Sequence, residues 1–498
     1  MVDRTSYNSV MLPASVLIRP FRPVVALALA AAVSTTPRVL VAQSLTPADS
    51  ALVGRILLAE DRRDSLDAAL TEGESHFDAR VRVLVQRARG RIRDPRLALR
   101  DALPPAVPPP AHPEPAWRLR FRALNASRDD CATLRSAVAD SAWPVRLRAA
   151  DLARASCAGD TVLVRTFVRW VDGLPRDASR RKRGEVAWHA AAHAIVALAR
   201  LAPSQATTRL GVIVTHRQYQ LRQYAVRAAV VLADTALLRR LARDADDNVA
   251  EVAIEALGKL TGHADDNLFL DALGRGGAQV VRSAAVALKG SPRTDVAAAA
   301  GRQFERFVAR ANASEHDARV ALLEAAGRPA ADDSPPPVNT ALPRDAVALA
   351  LGAPMRLRVT LARSSGGGSF VVRLRGDVAP MMAARIVDLA RAGYYDGLSW
   401  HRVEPDFVIQ GGSPGANEYV GLPQFIRDEL GTVSHLRGTV GMSTRGHDTG
   451  DAQWFVNLRD NARLDRDYTV WGEVVEGLGV VDGVLEGDVI KRIRVDRR

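Results

Sequence analysis

The stretch Trp400-His401-Arg402-Val403-Glu404-Pro405-Asp406-Phe407-Val408-Ile409-Gln410-Gly411-Gly412 sets a cation, an aromatic ring and an amide at fixed spacing. It ends on a glycine pair that permits a sharp turn. Val408 and Ile409 give it strand character, and Pro405 bars a helix through its middle. No other part of the 498-residue chain concentrates polar and apolar recognition groups so tightly. Taken singly, Arg402 reads as a surface arginine on a strand edge and Phe407 as an ordinary core aromatic. Any function must therefore come from partners elsewhere in the chain.

Around this stretch the apolar period is two. Met355, Leu357, Val359 and Leu361 alternate with Arg356, Arg358 and Thr360, the pattern of a half-buried strand. The run Ser364–Ser369 turns the chain into a second strand, Phe370–Leu374; its glycines precede a strand and no Lys-Ser/Thr follows, so it is no phosphate loop. Pro380 opens a helix with Met382, Ile386 and Leu389 on one face, and Gly393 ends it. Further strands are expected at Trp400–Val403, Phe407–Gln410, Gly438–Met442, Trp454–Asn457, Thr469–Val475 and Asp488–Val495. Many strands with few helices predict a closed β-barrel with flanking helices over 354–498, about 145 residues, the size of one domain.

Five ordered blocks in this segment resemble the cyclophilins, the peptidyl-prolyl cis-trans isomerases. They are Tyr394-Tyr395-Asp396-Gly397; His401-Arg402-Val403 with Phe407 to Gly412; Arg437 to Met442; Ala452 to Phe455; and Leu464-Asp465 with Tyr468 to Gly472. The resemblance implies a cyclophilin-like fold and rotation about X–Pro bonds in proline-containing polypeptides. It makes Arg402 the catalytic residue. Phe407, Val408, Phe455 and Leu464 become the pocket for the proline ring, Gln410 and Gln453 the groups that hold the substrate backbone, and His401 and Tyr468 further lining. Ser443 and Thr444 stand where the family carries Ala-Asn, which weakens the expected grip on the residue before proline. Arg463 replaces a tryptophan that binds cyclosporin in many members, implying weak sensitivity to that drug; Arg385 and Ile386 replace a common Asn-Phe. No bond is made or broken in such a reaction, so no cofactor or metal is expected. A non-catalytic scaffold whose barrel only binds proline-containing peptides is the alternative.

Upstream, from 43 to 327, the period becomes helical and the pattern recurs. Val249, Ala253, Ala256 and Leu257 align with Val280, Ala284, Ala287 and Leu288, one buried face of small residues in each case. Units of this length bury their faces by stacking, which predicts an all-α solenoid. The Asp/Asn-x-Val-Arg-x-x-Ala-Ala flavour resembles HEAT repeats, although any Ala-rich bundle shares part of it. That resemblance implies a surface for client or partner proteins. Pro104–Pro115 is expected as an exposed extended loop, 328–353 as a Pro-rich linker, and Arg180-Arg181-Lys182-Arg183 as an exposed loop.

The net charge of +12 and a pI near 10.4 raise nucleic acid as a partner. Arginines spread over nearly every helix rather than one stripe argue against it. Arg19 and Arg22 ahead of the apolar run Pro23–Val33, with Ala42-Gln43 beyond, have the layout of a secretory signal over 1–42, so export to the periplasm is the expectation, without stable membrane insertion. An uncleaved anchor and a buried helix are the other readings of that run. Cys131 and Cys157 fit either a disulfide across a helical hairpin or two buried thiols. Asp448-Thr449-Gly450 occurs once, whereas aspartic proteases need two such loops. His189 and His193, one helical turn apart, lack the Glu and third ligand of a zinc site.

Overall fold

A computed structural model describes residues 45–98, 103–104, 106–127, 129–177 and 180–496; the expected signal at 1–42 lies outside them. Sixteen α-helices lie between Pro47 and Ala325 among the described residues, followed by a C-terminal domain built on an eight-stranded sheet. From Trp117 onward the helices form a two-layered stack. Trp117–Ala126, Trp143–Leu152, His189–Leu201, Tyr219–Val231, Asp247–Thr261, Ala278–Leu288 and His316–Ala325 pack in succession, each beside the next, with the intervening helices on their outer side. Val249, Ala253 and Leu257, like Val280, Ala284 and Leu288, are fully buried in one continuous apolar core. Their small side chains let the helices approach closely. Cys131 and Cys157 are joined as a disulfide, with Cα atoms 5.7 Å apart.

The first three helices do not belong to that core. Pro47–Arg62, Ala68–Glu74 and Ala79–Arg93 place Leu52, Val53, Ile56, Leu57 and Val85 in the core of the C-terminal domain, beside Met382, Ile386 and Val359. A single array starting near residue 45 was expected. The apolar faces of these helices match the period of the others, but it is the C-terminal domain that covers them. The segment 328–353 likewise lies against that domain: Val338 bridges Phe425, and the short helix Ala346–Ala350 buries Ala346 and Leu349 in the same core.

The strands are β1 (Arg356–Leu361), β2 (Ser369–Leu374), β3 (Arg402–Val403), β4 (Val408–Gly411), β5 (Thr439–Met442), β6 (Trp454–Asn457), β7 (Val470–Glu476) and β8 (Ile490–Asp496). They pair antiparallel in the order β3-β4-β6-β5-β7-β2-β1-β8, a curled sheet. The ladder stops at β3 and β8, so it is not the fully closed barrel expected. The ends meet through one isolated bridge, Ser399–Val489, with flanking backbone bonds such as Trp400 N to Asp488 O at 2.8 Å. Trp400, Trp454 and Trp471 fill the interior edge to face, with centroids 4.9 and 5.7 Å apart. The helix Pro380–Arg391 covers one end; the Glu429 carboxylate accepts from Met382 N at 2.6 Å and complements the partial positive charge of its first turn.

Arginines join the helical layer to the sheet. Arg118, fully buried, donates to Pro405 O (2.9 Å) and pairs with Asp482 (3.0 Å), which also pairs with Arg437 at 2.7 Å. Arg91 donates to Leu430 O and Val378 O, both at 2.7 Å, and is held from the helical side by Glu60, which also pairs with Arg87 at 2.8 Å. Arg181 corrects the reading of the basic run as an exposed loop. It is buried, pairs with Asp488 and bridges Ser365, while Arg180, Lys182 and Arg183 remain exposed.

Candidate active site

Strand register assembles the site. Arg402 on β3 pairs with Gln410 on β4, Gln410 with Phe455 on β6, and Phe455 with Gly441 on β5. Residues directly opposite one another share a face, so cation, amide and ring stand in one row across four strands. Gly441 closes the row because a Cβ there would overlap the Phe455 ring. Arg402 Nη1 donates to Gln410 Oε1 at 3.2 Å; Gln410 Nε2 donates to Ser443 Oγ at 2.9 Å and approaches Gln453 Oε1 at 3.4 Å. Ser443 thus anchors the amide that orients the arginine. Gln453 is steadied in turn by Asp451, whose carboxylate accepts from Gln453 N at 2.8 Å. Burial holds the Asp451 carboxyl above the usual carboxylate range.

Beside this polar row, Val408, Phe455 and Leu464 form a small apolar cluster of their own, flanked by Phe407 and Tyr468. Tyr468 meets Phe455 edge to face at 5.7 Å, and the His435 ring stacks beneath Phe455 at 5.7 Å. Asn457 Nδ2 lies 3.1 Å from His435 Nδ1 and Tyr468 O lies 3.1 Å from Nε2, so these partners select the tautomer protonated at Nε2. Burial depresses the His435 pKa and favours the neutral ring. The hollow above the cluster has a volume of about 260 Å³ and is lined by Arg402, Phe407, Val408, Gln410, Ser443, Thr444, Gln453, Phe455, Leu464 and Tyr468. Arg463 lies over the outer face of Phe407, with Cζ 4.2 Å from the ring centroid.

His401 is the exception. It lines a different cavity, of about 380 Å³, between the sheet and the helices that carry His189, His193 and Tyr224. Neither of its ring nitrogens has a hydrogen-bond partner, and burial lowers its pKa to about 4. The expectation that His401 lines the site is therefore corrected: neighbours along an extended chain point to opposite sides, and Arg402 takes the site side. Three lining residues were not anticipated: Glu418, Arg445 and Asp451. Glu418 Oε1 lies 3.6 Å from Arg402 Nη1, and Gln453 Nε2 donates to Glu418 O at 3.2 Å. Only an acidic residue a few positions beyond Gly411-Gly412 hinted at the first.

His189 Nε2 meets Glu486 O at 2.8 Å and so ties its helix to the C-terminal domain, whereas His193 lies between Asp151 (2.6 Å) and Tyr224 (3.0 Å) of the two neighbouring helices. Among the described residues no group of His, Cys, Asp and Glu is placed to hold a metal, and no helix is long and apolar enough to cross a membrane. Asp448 lies on a loop, paired with Arg63 at 2.7 Å.

Residues 358–497 match the family model described as cyclophilin type peptidyl-prolyl cis-trans isomerase/CLD. The chain is 36% identical over 130 residues to a peptidyl-prolyl cis-trans isomerase of Helicobacter pylori, covering 25% of this chain and 80% of that protein. It is 36% identical over 132 residues to peptidyl-prolyl cis-trans isomerase B of Bacillus subtilis, 26% of this chain and 92% of that one. A peptidyl-prolyl cis-trans isomerase of Synechococcus elongatus is 36% identical over 119 residues, 24% and 82% of the respective chains.

Proposed function

Through its C-terminal domain the chain belongs to the cyclophilin-type peptidyl-prolyl cis-trans isomerases, and from that premise we propose how its residues divide the work. An X–Pro amide resists rotation by ~18–20 kcal/mol because resonance gives its C–N bond double-bond character. Catalysis requires binding the twisted amide better than the planar one. The ring of the proline rests on Phe455, Leu464 and Val408, between Phe407 and Tyr468, and stays fixed while the preceding carbonyl swings. Rotation pyramidalises the prolyl nitrogen and localises its lone pair, and Arg402 donates to it. Gln410, held by Ser443, keeps the guanidinium aimed, so little reorganisation is needed as the charge develops. Gln453, Ser443 and Thr444 hold the backbone before the proline.

The row Arg402–Gln410–Phe455 carries this reading, because it sets a fixed cation beside an apolar hollow of the right size. Replacing Arg402 by Ala in the full chain is expected to lower kcat by ~10²–10³ in a protease-free exchange assay on proline peptides. Wild-type and variant rates that both equal the uncatalysed rate would sink the assignment and leave a proline-peptide binding scaffold. That second reading has one observation in its favour: Glu418, 3.6 Å from Arg402, competes for its charge.

The helical stack we read as a HEAT-like solenoid that recruits clients or partner proteins, and the sheet as a cyclophilin-type barrel. Export to the periplasm is our proposal for its location, supported by the layout of residues 1–42 and by the Cys131–Cys157 disulfide, which suits an oxidising compartment. Retention of the first 42 residues on the mature protein, read by N-terminal sequencing, would overturn the cleaved signal.

A further inference from the structure

The rim of the site is fastened to the helical stack. Beyond Gly412, three residues of the stack hold the loop 413–423. Asn248 donates to Gly415 O and accepts from Asn417 Nδ2, both at 3.0 Å, and Ala313 N donates to Pro423 O at 2.9 Å. The Arg282 guanidinium lies over the Tyr419 ring, 4.5 Å from its centroid. None of these contacts involves Glu418, the one residue of the loop that lines the hollow above Phe455.

Glu418 is reached by Arg445 instead. The three guanidinium nitrogens of Arg445 go to three different acceptors: Nε to the Asp317 carboxylate at 2.5 Å, Nη2 to Ser314 O at 3.2 Å, and Nη1 to Glu418 O. Asp317 lies in the first turn of His316–Ala325 and Ser314 in the turn before it, so two of the three belong to the stack. The Arg445 side chain is only 16% exposed, which sets this pair apart from a solvent-screened surface bridge. A planar guanidinium carries its donors in a rigid fork, so fixing one side fixes where the other points. Glu418 O has a second lone pair, and Gln453 Nε2 donates to it at 3.2 Å. The other acceptors near that nitrogen, Val420 O and the Asp451 carboxylate, lie farther off at 3.4 Å. A continuous set of bonds thus runs from Asp317 through Arg445 and Glu418 O to the side-chain amide of Gln453.

We propose that Asp317 and Arg445 are positioning residues for isomerisation, through which the helical stack sets the Gln453 amide that holds the substrate backbone. This role rests on the assignment of Gln453 to that hold. The distances decide where the effect falls. Gln410 is anchored by Ser443 at 2.9 Å and only approaches Gln453 at 3.4 Å, so Arg402 keeps its aim when Gln453 shifts. Losing the Asp317 end therefore loosens the substrate and spares the rotation step. The stack contributes to substrate binding without touching the substrate.

The test is Asp317→Asn in the full chain, with exchange rates measured on a short proline peptide. The change keeps the shape of the side chain and removes the charge that holds the guanidinium. KM should rise about five- to tenfold, with kcat within about twofold of the wild type. Arg445→Lys keeps a cation but loses the fork, and should raise KM likewise. In a Gln453→Ala background neither change should raise KM further, because the group they position is gone. A residue that only supports the fold would lower kcat at unchanged KM, or add its full effect to that of Gln453→Ala; either result overturns the proposal. An unchanged KM in both variants overturns it too. If the wild type turns over no peptide, the catalytic assignment fails instead, and the peptide affinities of the same variants still judge the positioning role.

Discussion

Arg402 donates to Gln410 and lies 3.6 Å from Glu418, so its guanidinium is shared between an amide and a carboxylate before any substrate arrives. Both partners of that ion pair are about half exposed, at 40% and 48%, and such pairs are worth ~0.2–1 kcal/mol. Glu418→Gln should therefore raise kcat by up to about fivefold, measured by exchange on a short peptide. A fall in rate would show instead that Glu418 aims the arginine. Glu251 offers a second residue-level test. Burial, with Glu255 adding to it, raises its carboxyl to about 8. The unfolded chain loses that proton near 4.5, whereas the folded chain keeps it to about 8, so stability falls as pH rises between those values. Glu251→Gln should flatten that part of the profile and stabilise the protein at pH 8 by up to roughly 4–5 kcal/mol, read by denaturant titration across pH. An unchanged slope would place the titration elsewhere.

At the scale of elements, the row across β3, β4, β6 and β5 makes Gly441 a determinant of the hollow above Phe455 although it offers no side chain. Gly441→Ala should push Phe455 into the hollow and raise KM for proline peptides about tenfold, at a cost in stability of ~1–3 kcal/mol. An unaltered KM would mean that the ring adjusts freely. Strand positions such as Leu357, Val359 and Leu361 were legible from alternation, and the site residues from the spacing of five blocks, because both are local patterns. The side to which His401 points was not, since it depends on where β3 meets the sheet and what covers its back. Glu418, Arg445 and Asp451 escaped notice because loop geometry brings them in. Arg181 was misread because its partner Asp488 lies more than 300 positions away, and a basic run carries no local sign of such a partner.

For the whole molecule, the decisive fact is that two apolar cores do not divide the chain at one point. The helices of 47–93 and the segment 346–350 complete the core beneath Met382, Ile386 and Trp400. The fragment 354–498, cut where a domain boundary was expected, should expose that face. Leu52, Val53, Ile56 and Leu57 each contribute ~1.5–3 kcal/mol when fully buried, so the fragment should melt lower and bind a hydrophobic dye. Addition of 45–98 as a separate chain should restore part of the loss, and a fragment as stable as the full chain would refute the shared core. The same feature bears on synthesis. Helices made first must wait for strands made last, because some 260 residues separate Arg93 from Arg356. At ~5–20 residues per second the interval is tens of seconds, during which the apolar side of Pro47–Arg62 has no permanent cover. The N-terminal helices of this isomerase are thus the first made and the last covered, since the strands that bury them come at the other end of the chain.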